Sequence, residues 1–191
     1  MKDPFFFGYG SLVNRRTHGY GQIRLATARG WRRTWRHTAH RDIAILTAEP
    51  APGVEIAGLI AAVPGADWAA LDAREAFYDR VPCTADLDLA PASGDGTPDI
   101  ALYTIPAAKH PAAPAPCRIL LSYLDVVVQG YLAEFGPEGV AAFFATTTGW
   151  DAPVLDDRSA PLYPRAQALS AAETALVDAH LARLGARRVT A

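Results

Sequence analysis

Cysteine is scarce in this sequence. Among its 191 residues only Cys83 and Cys117 are cysteines, and they lie far apart, without the C-x-x-C spacing of many metal and redox sites. Isolated cysteines of this kind are typical of small buried hydrophobic side chains in a reducing compartment. The sequence therefore predicts a cytoplasmic protein.

Long apolar runs and a strong bias toward one sign of charge are lacking as well. The phenylalanines at positions 5–7 are too few for the hydrophobic region of a signal peptide, and no stretch reaches the roughly 18 apolar residues of a membrane span. The formal net charge is only −2, so neither nucleic acid nor a membrane is expected as a partner. The length suits one domain over residues 1–191, with a C-terminal helical part from about residue 118.

Patterns of metal ligands and phosphate loops are absent too. His37 and His40 are three residues apart, which places them on opposite faces of a strand, and no cluster of cysteines or carboxylates lies beside them. No Gly-Lys-Ser/Thr sequence follows the N-terminal glycines, as a P-loop requires. We therefore expect no metal site.

The segment 29–36 is a local exception to the balanced charge, because arginines are interleaved there with tryptophans. Three interpretations stay open. The arginines could form the solvated face of a strand, stack and pair with nucleic acid, or bind an anionic group of a substrate.

Strand patterns dominate the first 105 residues and helical patterns the remainder, which is the order of an α+β protein. Strands are predicted over 22–36, 43–48, 54–63, 84–89 and 100–105, with turns at 51–53 and 93–98. Helices are predicted over 67–78, 118–135, 138–146 and 171–184, the last one opened by a capping box at 170–173. The proline-rich segment 106–116 is predicted as a loop, and the polar segment 147–169 as one able to close over a site. Gly58 predicts a bulge or a close backbone approach.

Two stretches carry candidate chemistry. Residues 5–12 predict a strand buried on both faces that enters a glycine-bracketed turn. Such a turn can direct backbone N–H groups at a carboxylate or a developing oxyanion.

The second stretch is the predicted helix over 67–78. Helical spacing places Trp68, Leu71, Glu75 and Tyr78 on one face, so Glu75 is expected to be partly buried. Burial raises the pKa of a carboxyl group from about 4.3 toward the range of about 6 to 7 that suits acid–base catalysis. The alternative is that Glu75 ends the helix and pairs with Arg74 or Arg80.

Together, the segments Phe-Phe-Phe-Gly-Tyr-Gly-Ser-Leu at 5–12 and Leu-Asp-Ala-Arg-Glu-Ala-Phe-Tyr at 71–78 resemble motifs of the gamma-glutamylcyclotransferase superfamily, which includes the ChaC-type enzymes. The resemblance implies a small mixed β-barrel flanked by helices and an enzyme that releases 5-oxoproline from a γ-glutamyl amide without a cofactor or metal. It implies that Glu75 is the general acid/base. The substrate-binding residues that it implies are Tyr9, Gly10, Ser11, Leu12 and Tyr78.

The resemblance leaves the substrate open. Leu12 stands where classical members have Asn, and Phe77 stands where a glycine often precedes the tyrosine, so glutathione, γ-glutamyl dipeptides and γ-glutamylamines all stay candidates. Tyr163 and Arg165 are further candidates for a wall or a carboxylate clamp. A small molecule is the only expected ligand, and the chain is expected to be a monomer or a homodimer. The alternative function is a non-catalytic binding module on the same fold.

Overall fold

The computed structural model describes residues 3–39, 42–89, 98–106 and 116–190. Most of the predicted turn at 93–98, most of the proline-rich segment 106–116 and His40 lie outside these ranges. The strands are β1 Phe5–Gly8, β2 Arg24–Arg36, β3 Ile45–Ala62, β4 Asp79–Pro82, β5 Leu87–Leu89, β6 Ile100–Thr104, β7 Ile119–Leu120, β8 Thr147–Thr148, β9 Val154–Asp156 and β10 Arg188–Thr190. The α-helices are α1 Ala69–Arg74, α2 Leu121–Thr146 and α3 Ala171–Leu184.

The main sheet has the strand order β4-β6-β1-β3-β2-β5, with β8 paired to β2. It is mixed, because β1 is antiparallel to β3 and parallel to β6. The sheet curls into a half-barrel flanked by helices, which confirms the α+β prediction. The path of paired strands ends at β4 on one side and at β5 on the other. The sequence analysis did not predict the second, parallel sheet β10-β9-β7.

Strand β1 is buried on both faces, as its unbroken aromatic run predicts. Phe5 and Phe7 belong to one hydrophobic cluster together with Ile60 and Leu102 from the neighbouring strands. Phe6 points the other way, into a second cluster that includes α2 side chains. The end of β1 is therefore held between two cores, and the turn that follows begins from a rigid strand.

Strand β3 corrects the prediction of two strands separated by a turn. It runs without interruption from Ile45 to Ala62. Its pairing with β2 shifts at the predicted turn, because Glu55 pairs with Arg29 while Pro50 pairs with Trp31. Residues 51–54 therefore face Gly30 alone, and the Ala-Pro-Gly signal marks a bulge within a long hairpin.

Two predicted helices begin or end elsewhere. The helix expected over 67–78 stops at Arg74, and β4 begins only a few residues later. The helix expected from residue 118 begins at Leu121, because Ile119 and Leu120 pair with β9 instead. The strand expected over 84–89 is shorter as well, since Thr84–Asp86 forms a 3₁₀ turn ahead of β5.

Other helix boundaries agree with the sequence. Gly136 leaves the helical conformation at φ 67° and ψ −171°, so the predicted boundary at Gly136-Pro137 is a break within α2. Helix α3 is confirmed, with the reciprocal capping box of Ser170 and Glu173 at its start and Gly185 just past its end.

Gly58 lies at a close backbone approach, one of the two alternatives that the sequence predicts. A Cβ at this position would be 2.3 Å from the carbonyl oxygen of Gly8 and 2.6 Å from Cζ of Phe7. We expect Gly58→Ala to lower the free energy of unfolding by about 2 kcal/mol or more, because it overpacks the wall beneath the turn.

Urea denaturation measures this loss. Gly19→Ala is the matched control, because a Cβ there would meet nothing within 4 Å. Equal stability of the two variants would contradict the close approach.

Candidate active site

Glu75 follows the last residue of α1. Its backbone N–H donates to the carbonyl of Leu71 at 2.9 Å, and its own carbonyl accepts from the N–H of Tyr78 at 2.8 Å. The chain thus turns sharply after one short helix and returns as β4. The Glu75 side chain is only 14% exposed, so the helix end places a carboxylate inside the protein.

This carboxylate lies between two connected spaces. The inner pocket measures about 320 Å³, part of it open to solvent, and is formed by the end of β1, the glycine turn and side chains from neighbouring elements. The outer cleft measures about 1150 Å³, part of it open to solvent. The catalytic and substrate-binding residues that the resemblance implies all line the inner pocket: Tyr9, Gly10, Ser11, Leu12, Glu75 and Tyr78. The fold therefore brings together two motifs from distant parts of the chain.

Arg74 connects the two motifs directly. Its Nε lies 3.2 Å from Oε1 of Glu75, its Nη2 donates to Oγ of Ser11 at 3.3 Å, and its Nη1 donates to the carbonyl of Thr17 at 2.9 Å. The pairing of Glu75 with Arg74, the alternative that the sequence left open, therefore exists within the pocket. Arg80 instead pairs with Asp72 at 3.7 Å.

The pKa of Glu75 is raised above its ordinary value. Burial of the carboxylate is the largest cause, and the charges of Arg74 and Arg165 oppose it without cancelling it. A carboxyl group in this state can accept and return a proton closer to neutral pH than an exposed glutamate can.

Tyrosine hydroxyls form much of the polar wall around Glu75. The hydroxyl of Tyr9 donates to the carbonyl of Tyr103 and accepts from the N–H of Ala48 at 3.1 Å. The hydroxyl of Tyr78 donates to the carbonyl of Leu46 at 2.8 Å. Burial raises the pKa of both tyrosines, so both hydroxyls stay protonated. Backbone partners hold these side chains in place, so they act as fixed walls of the pocket.

Tyr123 reaches the pocket from α2 and was not among the site residues predicted from the sequence. Burial raises the pKa of its hydroxyl, and the nearby backbone of Ser11 opposes that rise. A Cβ on Gly10 would lie 2.8 Å from the same hydroxyl. The missing side chain at Gly10 therefore lets a helix side chain approach the turn, which no local pattern in the sequence indicates.

Arg33 supports the turn from behind. It is 1% exposed, and its Nε donates to the carbonyl of Tyr9 at 3.2 Å, which also accepts from the Tyr131 hydroxyl at 3.0 Å. Among the arginines of segment 29–36, Arg29 is exposed and pairs with Asp88. It therefore fits the interpretation of a solvated strand face. For Arg33 that interpretation is wrong.

The segment after β9 forms one wall of the outer cleft. Asp157 is buried and caps the start of α2, accepting from N–H and Oγ of Ser122 at 2.8 and 2.6 Å. It also accepts from the N–H of Leu162 at 2.9 Å. These bonds hold Tyr163 with its ring edge-on to Tyr123, 5.0 Å between centroids. Tyr163 and Arg165 both line the outer cleft.

Metal ligands do not cluster in the described ranges, where no group of three or more histidine, cysteine or acidic side chains could hold an ion. Nδ1 of His37 accepts from the N–H of Cys117 at 2.9 Å. None of the helices in the described part of the chain has the length and apolar character needed to cross a membrane.

Comparison with protein-family models and with curated protein sequences gives no match. Solved structures do match. A gamma-glutamyl cyclotransferase aligns over 93% of this chain and 99% of its own, with a TM-score of 0.56 and 14% identity. An uncharacterised protein from Homo sapiens aligns over the same shares, with a TM-score of 0.55 and 14% identity.

YkqA from Bacillus subtilis aligns over 78% of this chain and 57% of its own, with a TM-score of 0.53 and 18% identity. Likeness at these identities establishes the fold. The expectation of a gamma-glutamylcyclotransferase-like architecture is confirmed, with the sheet forming a half-barrel.

The raised pKa of Glu75 predicts how stability depends on pH. Because its folded-state pKa lies above the unfolded one, the wild-type protein loses stability relative to Glu75→Gln as pH rises through the folded-state pKa. We expect the free energy of unfolding of Glu75→Gln minus that of the wild type to increase from pH 4 to about pH 8. Urea denaturation at a series of pH values measures it.

The control is Glu55→Gln, which removes a carboxylate from an exposed position of β3 and should not reproduce the increase. A difference that falls with pH would mean that Arg74 and Arg165 outweigh the burial of Glu75.

Proposed function

We propose that this chain, which has the fold of the gamma-glutamyl cyclotransferases, releases 5-oxoproline from a γ-glutamyl amide with Glu75 as the general acid/base. One observation carries the proposal. The buried carboxylate of Glu75 faces the glycine turn across a pocket, and its pKa is raised. A carboxylate and a set of backbone donors are the groups that this reaction requires.

The reaction is an intramolecular acyl transfer. The α-amine of the γ-glutamyl group attacks the carbonyl carbon of its own side chain, and a new C–N bond closes the five-membered ring. The original amide C–N bond then breaks and the amine departs. Because both reacting groups belong to one molecule, holding the ring-forming conformation supplies much of the acceleration.

Protons are exchanged with Glu75 at two stages. The carboxylate takes a proton from the α-ammonium group, which makes the nitrogen nucleophilic. The protonated carboxyl then gives a proton to the departing nitrogen, which leaves as an amine and later binds the second proton shed by the attacking nitrogen. Proton loss and gain balance, and Glu75 returns to its starting state.

The glycine turn supplies the donors. The N–H groups of Gly10, Ser11 and Leu12 are proposed to hold either the tetrahedral oxyanion or the α-carboxylate of the substrate. Tyr9 and Tyr78 are proposed to shape the space around the γ-glutamyl group. The absence of a cofactor, the cytoplasmic location, the single domain and the monomeric or homodimeric state stay predictions.

Glu75→Gln tests the chemistry. We expect it to lower formation of 5-oxoproline by at least about a hundredfold, because the acid/base group is lost while the shape of the side chain is kept. Mass spectrometry of 5-oxoproline measures product from a panel of glutathione, γ-glutamyl dipeptides and γ-glutamylamines. The exposed control Glu55→Gln should retain wild-type turnover.

Full turnover by Glu75→Gln would remove Glu75 from the mechanism. Folded wild-type protein that yields no 5-oxoproline from any member of the panel would favour the binding module.

Arg74 should set the acidic limb of the pH–rate profile. Its positive charge opposes the rise in the pKa of Glu75, so Arg74→Gln should move the limb of kcat/KM to higher pH. Arg74→Lys keeps the charge and should move it less. The profile is measured from pH 4 to 8 with the best substrate of the panel, and a limb that stays in place in Arg74→Gln would contradict this coupling.

A further inference from the structure

The outer cleft, like the inner pocket, is lined by Glu75, and it is the larger of the two spaces. The two spaces share Ser11, Leu46, Glu75, Tyr78 and Tyr123. If the γ-glutamyl group occupies the inner pocket, as the proposed function requires, the departing group extends into the outer cleft. The walls of that cleft therefore select the amine that leaves.

Most of these walls are apolar: Ile43, Ile45, Leu46, Phe77, Leu120 and Leu162. Leu162 is 59% exposed and Phe77 is 37% exposed, so they present large apolar surfaces to water along the cleft. Exposing such apolar surface to water is unfavourable. A ligand with an apolar side chain would cover part of it.

Arg165 places a charged side chain in this largely apolar cleft. Within the described part of the chain, its guanidinium has no hydrogen-bond or ion-pair partner, and only its backbone carbonyl is bonded, by the amide of Gln167. The other arginine of the cleft, Arg74, is already engaged with Glu75, Ser11 and Thr17. Apart from Glu75, no carboxylate of the described residues lines the cleft. The charge of Arg165 acts on Glu75, but its planar N–H donors have no hydrogen-bond partner among the described residues and suit a carboxylate.

We propose that the departing group is an α-amino acid with a large apolar side chain, whose carboxylate pairs with Arg165 and whose side chain packs against Phe77 and Leu162. The substrate class is then a γ-glutamyl dipeptide with a leucine-like second residue. A diamine would bring a second positive charge toward Arg165 and Arg74. A simple alkylamine would leave Arg165 unpaired.

A matched pair of substrates separates these features. γ-Glutamyl-leucine and γ-glutamyl-3-methylbutylamine differ only in the carboxylate, and γ-glutamyl-glycine keeps the carboxylate without the side chain. We expect kcat/KM to be highest for γ-glutamyl-leucine. Arg165→Gln should lower that value roughly ten- to a hundredfold, mainly through KM, because a charge-assisted hydrogen bond is lost. The charge of Arg165 also opposes the rise in the pKa of Glu75, so the substrates are compared at a pH above the acidic limb. Turnover of the amine substrate should change there by less than about threefold.

Arg183→Gln, at an exposed position of α3, is the control for loss of a positive charge and should leave all three substrates unaffected. Equal turnover of the leucine and methylbutylamine substrates, or equal losses for both in Arg165→Gln, would overturn the inference. The proposed function would survive that result, because 5-oxoproline would still form.

Calorimetry with Glu75→Gln tests the role of Arg165 independently of the proposed reaction, because it measures binding without turnover. Affinity for γ-glutamyl-leucine should exceed that for the methylbutylamine compound, and adding Arg165→Gln should abolish the difference. Selective binding without any 5-oxoproline from the wild type would support the carboxylate site and reject the proposed reaction. Equal affinities would overturn the inference independently of activity.

Discussion

The site depends on a buried arginine, Arg33, which donates hydrogen bonds to uncharged carbonyl and hydroxyl groups. Arg33 of β2 donates to the carbonyls of Tyr9 and Ala57 and to the hydroxyls of Tyr131 and Thr146, so it joins the glycine turn to β3 and both halves of α2. Its guanidinium also lies over the ring of Tyr131, 5.0 Å from the centroid. A buried cation is costly unless its donors are satisfied. The planar fork of Arg spreads its donors over separate nitrogens and reaches acceptors on different elements at once, whereas the ammonium of Lys offers fewer donors at a single point.

A second arginine, Arg74, holds the other side of the glycine turn and also contacts Glu75. Arg74 contacts Ser11 and Glu75, so the geometry of the turn and the protonation of the carboxylate are coupled through one side chain. Burial raises the pKa of Glu75 and the neighbouring cations restrain that rise. A carboxyl group balanced in this way can change protonation state at modest cost, as acid–base chemistry requires.

Local patterns in the sequence predicted those features that neighbouring residues determine. The aromatic run of β1 and the capping box of α3 are of this kind. Glu75 is buried as expected, but it lies past the end of α1 and not on the helical face from which its burial was predicted. Other features depend on distant partners. The Ala-Pro-Gly segment became a bulge because β2 pairs on both sides of it, and α2 is capped by Asp157, which lies 35 residues from Ser122. Tyr123 enters the site through contact with the turn, which helical spacing alone does not indicate.

Because Asp157 bonds to both Leu162 and Ser122, the two sides of the site are supported by different elements. The glycine turn rests on the half-barrel, whereas the wall formed by Leu162 and Tyr163 is fastened to the start of α2 through Asp157 and Ser122. Leu162 and Tyr163 can therefore vary in sequence while Glu75 and the turn keep their supports. A scaffold divided in this way allows the shape of the outer cleft to evolve, or to be engineered, separately from the inner pocket.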